Sequence, residues 1–272
     1  MPAAAERAAA EAVTGAASAA PVPRTALVTG AGQRIGRALA LSLAEAGFAV
    51  AVHYHRSRAA AEGVVAAIRA NGGNGVELAA DLADENAARG LLQEAQRALG
   101  PVGVLVNNAG VFEDDTVETA TRESWDNHFA VNLRAPFVLI QEFARRLPAE
   151  AGGVVVNLID QRVWSLTPYF VSYTLSKAGL WTLTQTMALA LAPRIRVNGI
   201  GPGPALPNIR QSEAQFVRQC AQMPLGRGTS PGEIAAALRF ILEAPAMTGQ
   251  MIALDGGQHL GWAQPQRPPT PD

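Results

Sequence analysis

A doubly wound α/β domain on a seven-stranded parallel sheet is the fold class that this 272-residue sequence predicts. Three observations predict it. From Arg24 onward, short β-branched runs alternate with longer Ala- and Leu-rich stretches, the βα alternation of a parallel sheet with helices on both faces. The runs are apolar on both faces, as expected for a parallel sheet covered by helices. No composition shift or long linker divides the core, so it reads as one domain over 24–262.

The elements follow in order. TALVT, FAVAVHY, GVELAA, VGVLVN, GVVVNLI, IRVNGI and MIALD read as the strands. Helix-length segments lie between them at roughly 35–47, 58–71, 84–99, 120–147, 171–192 and 231–243. The stretch from Pro204 to Ser230 is the longest interruption. It carries several prolines and a helical pattern around 212–222, and reads as a substrate lid. Residues 1–23 are Ala-rich, but Glu6, Arg7 and Glu11 interrupt them and no basic start precedes them. A signal peptide is therefore rejected in favour of a disordered or fraying leader. The Pro-rich residues 263–272 read as a loose tail.

Composition narrows the function. Apolar residues make up 49% of the chain, enough for a sizeable core, and the net charge of −1 gives no reason to expect nucleic acid or an anionic membrane. Cys220 is the only cysteine, which excludes an internal disulfide and a thiolate metal cluster. His53, His55, His128 and His259 lack metal-ligand spacing, so no metal is expected. No apolar run approaches the roughly 18 residues of a membrane span. A soluble cytoplasmic protein is the default expectation.

TALVTGAGQRIGRALALSLAEAG is a strand, a glycine-bearing turn and an amphipathic helix. Gly30 and Gly36 stand where the chain must turn and where helix and sheet must approach closely. The helix N-terminus offers free N–H groups and a positive dipole end to a phosphate. The second strand runs into His55, Arg56 and Ser57. An NAD site would place an acid about 20 residues beyond the glycine turn. Here Arg56 and Ser57 suit a 2′-phosphate instead, so NADPH is the expected cofactor. Tyr173 and Lys177 lie at i and i+4 on one helix face. A nearby ammonium is expected to lower the tyrosine pKa from about 10, fitting it for proton transfer near neutral pH.

The turn Thr29-Gly30-x-x-x-Arg34-Ile35-Gly36, the run Asn107-Asn108-Ala109-Gly110, the Tyr173/Lys177 pair and the strand IRVNGIGPG resemble the short-chain dehydrogenase/reductase family. The family has glycine where Arg34 stands; an arginine adds a fixed forked charge to a phosphate-binding turn. The resemblance implies adenine contact from Asp81, with Leu82 beside it, although a helix N-cap explains that acid equally well. It implies cofactor contacts from Ile35, Asn108, Ala109, Gly110, Pro202 and Gly203, and from Tyr173 and Lys177, the lysine holding the nicotinamide ribose. Asn132 matches the helix asparagine that orders a proton-relay water; a buried asparagine satisfying backbone groups is the alternative. Relatives use the catalytic helix to form tetramers, so a homotetramer is expected.

Asp160 stands where most family members have a serine. A carboxylate would repel a developing alkoxide, which disfavours a simple ketone or thioester substrate. It suits a substrate that presents N–H groups or is protonated on nitrogen. Ser165 is the other candidate for the missing serine, but it lies only eight residues before Tyr173, past the strand end. Asp160 has a plainer reading too, as a strand-end cap or a partner of Arg162. With TGAGQRIG, HYHRS and LDGGQHL, the combination resembles pteridine reductases and dihydromonapterin reductases. That resemblance implies a pteridine-like substrate stacked on Phe112 and faced by Arg34, Asp160 and Tyr173. Phe112 as a core aromatic is the alternative. The rival functions are a carbonyl reductase of the 3-oxoacyl-carrier-protein or sugar type, and a silent nucleotide-sensing protein on the same fold.

Overall fold

The computed structural model describes residues 20–208 and 211–261. The expected leader up to residue 19, the tail and Trp262 lie outside the described residues. The last leader residues are already packed: Pro21 O accepts from Gly152 N at 3.1 Å, and Val22 lies against the core.

Seven strands form one sheet: β1 Thr25–Val28, β2 Ala49–Tyr54, β3 Gly75–Ala79, β4 Val104–Asn107, β5 Gly153–Leu158, β6 Ile195–Pro202 and β7 Met251–Leu254. All neighbours pair parallel, in the order β3-β2-β1-β4-β5-β6-β7. The order reverses direction at β1 and β4, which opens a crevice at the carboxyl ends of those strands. Successive side chains alternate between two cores. Ala26, Val28, Val104, Val106, Val154 and Val156 face one, while Leu27, Leu105 and Val155 face the other. That alternation of apolar with apolar is why the strands read as continuous hydrophobic runs.

Helices α1 Arg34–Glu45, α2 Arg58–Ala70 and α8 Pro231–Glu243 contribute to the first core. Helices α3 Glu85–Leu99, α5 Ala135–Arg146 and α6 Val171–Leu191 contribute to the second. Between Pro204 and Ser230 lies α7 Glu213–Ala221, capped by Ser212 and Gln215. Thr229 N donates to Pro204 O at 2.9 Å, drawing the two ends of that segment together.

The expected single helix at 120–147 is interrupted. It comprises α4 Arg122–Phe129, a π-helical turn Ala130–Arg134, and α5. Pro136, in the first turn of α5, has no N–H to return to the carbonyl four residues earlier, and its ring crowds that carbonyl. The helix widens there, and the widened turn carries Asn132.

Candidate active site

The chain leaves β1 through a turn that ends in α1. Gly30 has φ +61, and a Cβ at Gly36 would collide with Gly30 O, so neither position accepts a side chain without distortion. Asn108 braces the turn from β4, its Nδ2 donating to Thr29 O at 2.8 Å and Gly30 O at 3.1 Å. His53 braces it from β2. Gly30 N donates to His53 Nδ1 at 3.0 Å, which puts the ring proton on Nε2, 3.1 Å from Ala80 O. Burial, partly offset by the Ala80 bond and aided by His55, lowers the His53 pKa to about 4.

A histidine held neutral in this way makes stability depend on pH. Its contribution is complete above the unfolded value near 6.5 and is lost as pH falls toward the folded value of about 4. Acidifying from pH 7 to 4.5 should therefore remove about 2–3 kcal/mol through this group alone. Denaturant titrations of the wild type and His53→Asn at both pH values check this. The variant should be less stable at neutral pH and show a smaller acid loss; an equal loss in both proteins would refute the assignment.

Beyond the turn, His55, Arg56, Ser57, Asp81 and Leu82 line a hollow of about 540 Å³, with Gly30, Ala109 and Gly110 on its inner wall. Arg56 and Ser57 are exposed there. Asp81 accepts from Ala83 N at 2.9 Å and lies 3.7 Å from His55 Nε2. The N-cap of α3 is Asp84, so the helix-capping alternative for Asp81 does not hold.

A second hollow of about 480 Å³ adjoins the first, the two sharing Gly110 and Val111. Arg34, Ile35, Asn108, Pro202 and Gly203 line one part of it; Phe112, Asp160, Tyr173 and Lys177 line another. Arg34 takes the left-handed backbone of the glycine it replaces, φ +52. Its guanidinium reaches neither acid nor ring. Nη1 donates to Pro207 O at 2.9 Å and Nη2 to Leu206 O at 3.3 Å, tying the 204–230 segment to the glycine turn.

At the reactive end Tyr173 Oη donates to Asp160 Oδ2 at 2.8 Å. Asp160 Oδ1 accepts from Arg162 N at 2.8 Å, capping a single 3-10 turn Gln161–Val163, and Arg162 Nη1 lies 3.5 Å from Oδ2. The plain reading of Asp160 holds, since it caps this turn and faces Arg162, and the same carboxylate meets the Tyr173 hydroxyl. Ser165 is absent from the lining of this hollow.

The expected lowering of the tyrosine pKa is corrected. Burial, the Asp160 charge and the Tyr173–Asp160 hydrogen bond raise it well above 10. Lys177 Nζ donates to Leu158 O at 2.7 Å and lies 5.9 Å from the tyrosine ring centre. Burial lowers the Lys177 pKa to about 8.

Two expected residues lie behind the wall. Gly36 packs under the turn, and Asn132 is fully buried. Asn132 pairs both ways with the Val111 backbone, accepting from N at 2.8 Å and donating to O at 3.0 Å, and also donates to Ser176 Oγ. Phe112 is 38% exposed and stacks on Phe170, ring centres 4.6 Å apart and planes 9° apart. It is a cleft residue, not a core aromatic.

Sequence reasoning missed a buried chain under this loop. His128 Nε2 accepts from Glu113 N at 3.1 Å, and Nδ1 lies 2.7 Å from Ser172 Oγ, which donates to Asp115. Asp115 O and its carboxylate also accept the N–H groups that open α6. The chain fastens the Phe112 loop to the helix that carries Tyr173.

A parallel sheet with a glycine turn after β1, and a buried tyrosine and lysine beside a partly buried acid past the end of β5, defines a doubly wound α/β protein with a cleft at the carboxyl ends of its strands. The short chain dehydrogenase family model matches residues 24–217, and the chain belongs to that family. It is 48% identical to the FolM alternative dihydrofolate reductase 1 of Brucella suis, solved in complex with NADP (TM-score 0.86, covering 91% of this chain and 98% of that one). The corresponding Brucella canis structure, also with NADP, is 46% identical (TM-score 0.87, covering 92% and 99%). The 3-oxoacyl-[acyl-carrier-protein] reductase of Staphylococcus aureus is 33% identical over 242 residues, 87% of this chain and 98% of that protein.

Proposed function

We propose that the protein is an NADPH-dependent reductase acting on a C=N bond of a dihydropteridine or a similar heterocycle, in the cytoplasm. The observation that carries the proposal is the 2.8 Å hydrogen bond from Tyr173 Oη to Asp160. It sets a carboxylate, not a serine hydroxyl, beside the proton donor. The likeness to the Brucella reductases supports the same reading.

The residues present fit the cofactor. The two hollows join at Gly110 and Val111, and the close packing of Gly30 and Gly36 leaves backbone, not side chain, at the phosphate turn. Arg56 and Ser57 would hold the 2′-phosphate, Asp81 and Leu82 would flank the adenine, and Lys177 would hold the nicotinamide ribose. Ile35, Asn108, Ala109, Gly110, Pro202 and Gly203 would form the walls between. When bound, the nicotinamide supplies hydride to the carbon of the substrate bond.

This chain supplies the proton. Tyr173 stays protonated through the neutral range because burial and Asp160 hold its pKa up, which suits donation in the reductive direction. Asp160 accepts from Tyr173 at rest and is placed to accept from a substrate N–H. Asn132 holds Val111, and through it the strand-end loop that positions Phe112.

The second reading, a carbonyl reductase, is favoured by the Staphylococcus relative. NADPH oxidation measured with dihydrobiopterin, dihydromonapterin, dihydrofolate and acetoacetyl thioesters separates the two. Turnover of the thioester with none of the pteridines would reject our proposal. Turnover of nothing, with cofactor bound, would favour the silent nucleotide sensor.

Two further results are expected. Arg56→Ala should narrow the preference for NADPH over NADH, because no carboxylate ends the second strand and the two cofactors differ there by the hold on the 2′-phosphate. Fluorescence titration of both cofactors checks it, and equal affinities in the unaltered protein would defeat it. We also propose a homotetramer. Leu133, Phe137, Gly179 and Leu183 line an apolar surface hollow between α6 and the α4–α5 segment, and Leu175 and Leu189 of α6 are exposed. Sedimentation showing only a 28.4 kDa species at micromolar concentration would reject the assembly.

A further inference from the structure

We propose that Arg162 determines which ring the cleft accepts, by presenting a hydrogen-bond donor beside the Asp160 acceptor while its guanidinium closes the Phe112–Phe170 stack. The inference rests on the heterocycle reading above and narrows it. Arg162 enters from the sequence only as an ion-pair partner. In the fold its guanidinium carbon lies 5.4 Å from the Phe112 ring centre and 5.0 Å from that of Phe170. Those are cation–π distances, on the wall of the hollow that holds Tyr173.

The hydrogen-bonding capacity of this group is largely unspent. Its contact with Asp160 is 3.5 Å, too long for a strong hydrogen bond. Its Nε is buried and has no partner among the described residues. The neighbouring Gln161, 2% exposed, likewise has an unpartnered Oε1. Arg162 Nε is sealed from the cleft, so the donors left for a bound ring are the Nη groups of this partly exposed side chain, for which the long Asp160 contact is no strong competitor.

The third observation is Phe170. It holds a left-handed backbone, φ +58, unusual for a bulky residue. Its N–H donates to Asp115 O at 2.7 Å, which keeps that backbone in place and the ring flat on Phe112. A strained residue kept so by its surroundings is a marker of a working site.

The wall therefore offers a flat aromatic pair, with an acceptor and a donor side by side. A planar heterocycle with an N–H next to a ring nitrogen or carbonyl satisfies both. A ketone or thioester carbonyl, which only accepts, leaves Asp160 facing a second oxygen.

The test is binding of oxidised pterin, which carries such an edge and is not turned over with NADP⁺, to the NADP⁺-loaded full chain by calorimetry. Arg162→Ala should raise the pterin Kd about 10- to 100-fold. Arg162→Lys should fail to restore it, since an ammonium lacks the planar fork. Unchanged NADP⁺ affinity and melting temperature would show that the variants fold. Tight pterin binding by the wild type and equally tight binding by Arg162→Ala would overturn the role of Arg162 alone. A wild type that neither binds pterin nor reduces a dihydropteridine would remove the heterocycle reading, and this inference with it.

Discussion

Tyr173→Phe is expected to lower kcat for reduction by about 10²- to 10⁴-fold, the range for losing a positioned proton donor. The variant keeps the ring, its edge contact with Phe112 at 4.7 Å and the helix that carries it. Only the hydroxyl goes, so cofactor affinity should change far less than kcat. Single-turnover NADPH oxidation, paired with a cofactor titration, measures both. The wild-type pH profile gives a second check. Tyr173 titrates well above the neutral range, whereas Lys177 titrates near 8. Activity should therefore fall on the alkaline side with the lysine, while the tyrosine is still protonated. Full turnover by the phenylalanine variant would remove Tyr173 from the chemistry.

Asp160→Ser and Asp160→Asn should each lower dihydropteridine turnover by about 10²-fold or more. Both should also lower the melting temperature, because Asp160 caps the turn at Arg162 N as well as meeting Tyr173. The asparagine keeps an acceptor for that cap but removes the charge. The Tyr173 pKa should then drop from its raised value, since the Asp160 charge is one of its causes. Ultraviolet titration of the phenol reads that shift. If either variant shows full turnover per folded molecule with only its melting point lowered, Asp160 is structural and the pteridine proposal loses its main support.

The sheet was legible in the sequence because its central strands β1, β4 and β5 are buried on both faces, and seven mainly apolar runs leave little room for another assignment. Tyr173, Lys177 and Asp160 were legible for a different reason: their spacing on one helix and one strand end is local. What stayed hidden depends on distance along the chain. His128 and Ser172 are 44 residues apart, Asp115 and Ser172 are 57 apart, and no pattern in a single sequence joins them. The sign of the Tyr173 shift was misread because proximity to Lys177 in sequence is plain, while burial and the facing carboxylate belong to the folded state. Arg34 was assigned to phosphate by its place in the turn, yet its side chain reaches carbonyls more than 170 positions away. Pro136 did carry a signal: a proline inside a helical run should have marked the break before α5.

The π-helical turn at Ala130–Arg134 has a consequence for what the chain tolerates. Each helical residue advances the azimuth by about 100°, so the widened turn sets the angular phase between α4 and α5. Upstream of it His128 points to Ser172; downstream Val138, Leu139 and Phe143 point into the second core. Deleting one residue there would let four α-helical residues cover nearly the same rotation as the five widened ones, so both sets would keep their partners and only the widened turn that carries Asn132 would be lost. Side-chain replacements at Ala130 or Val131 leave that phase alone. A single-residue deletion in this segment should thus disturb the placement of Asn132 more than the packing of α4 and α5, whereas an added residue would turn α5 by about 100°.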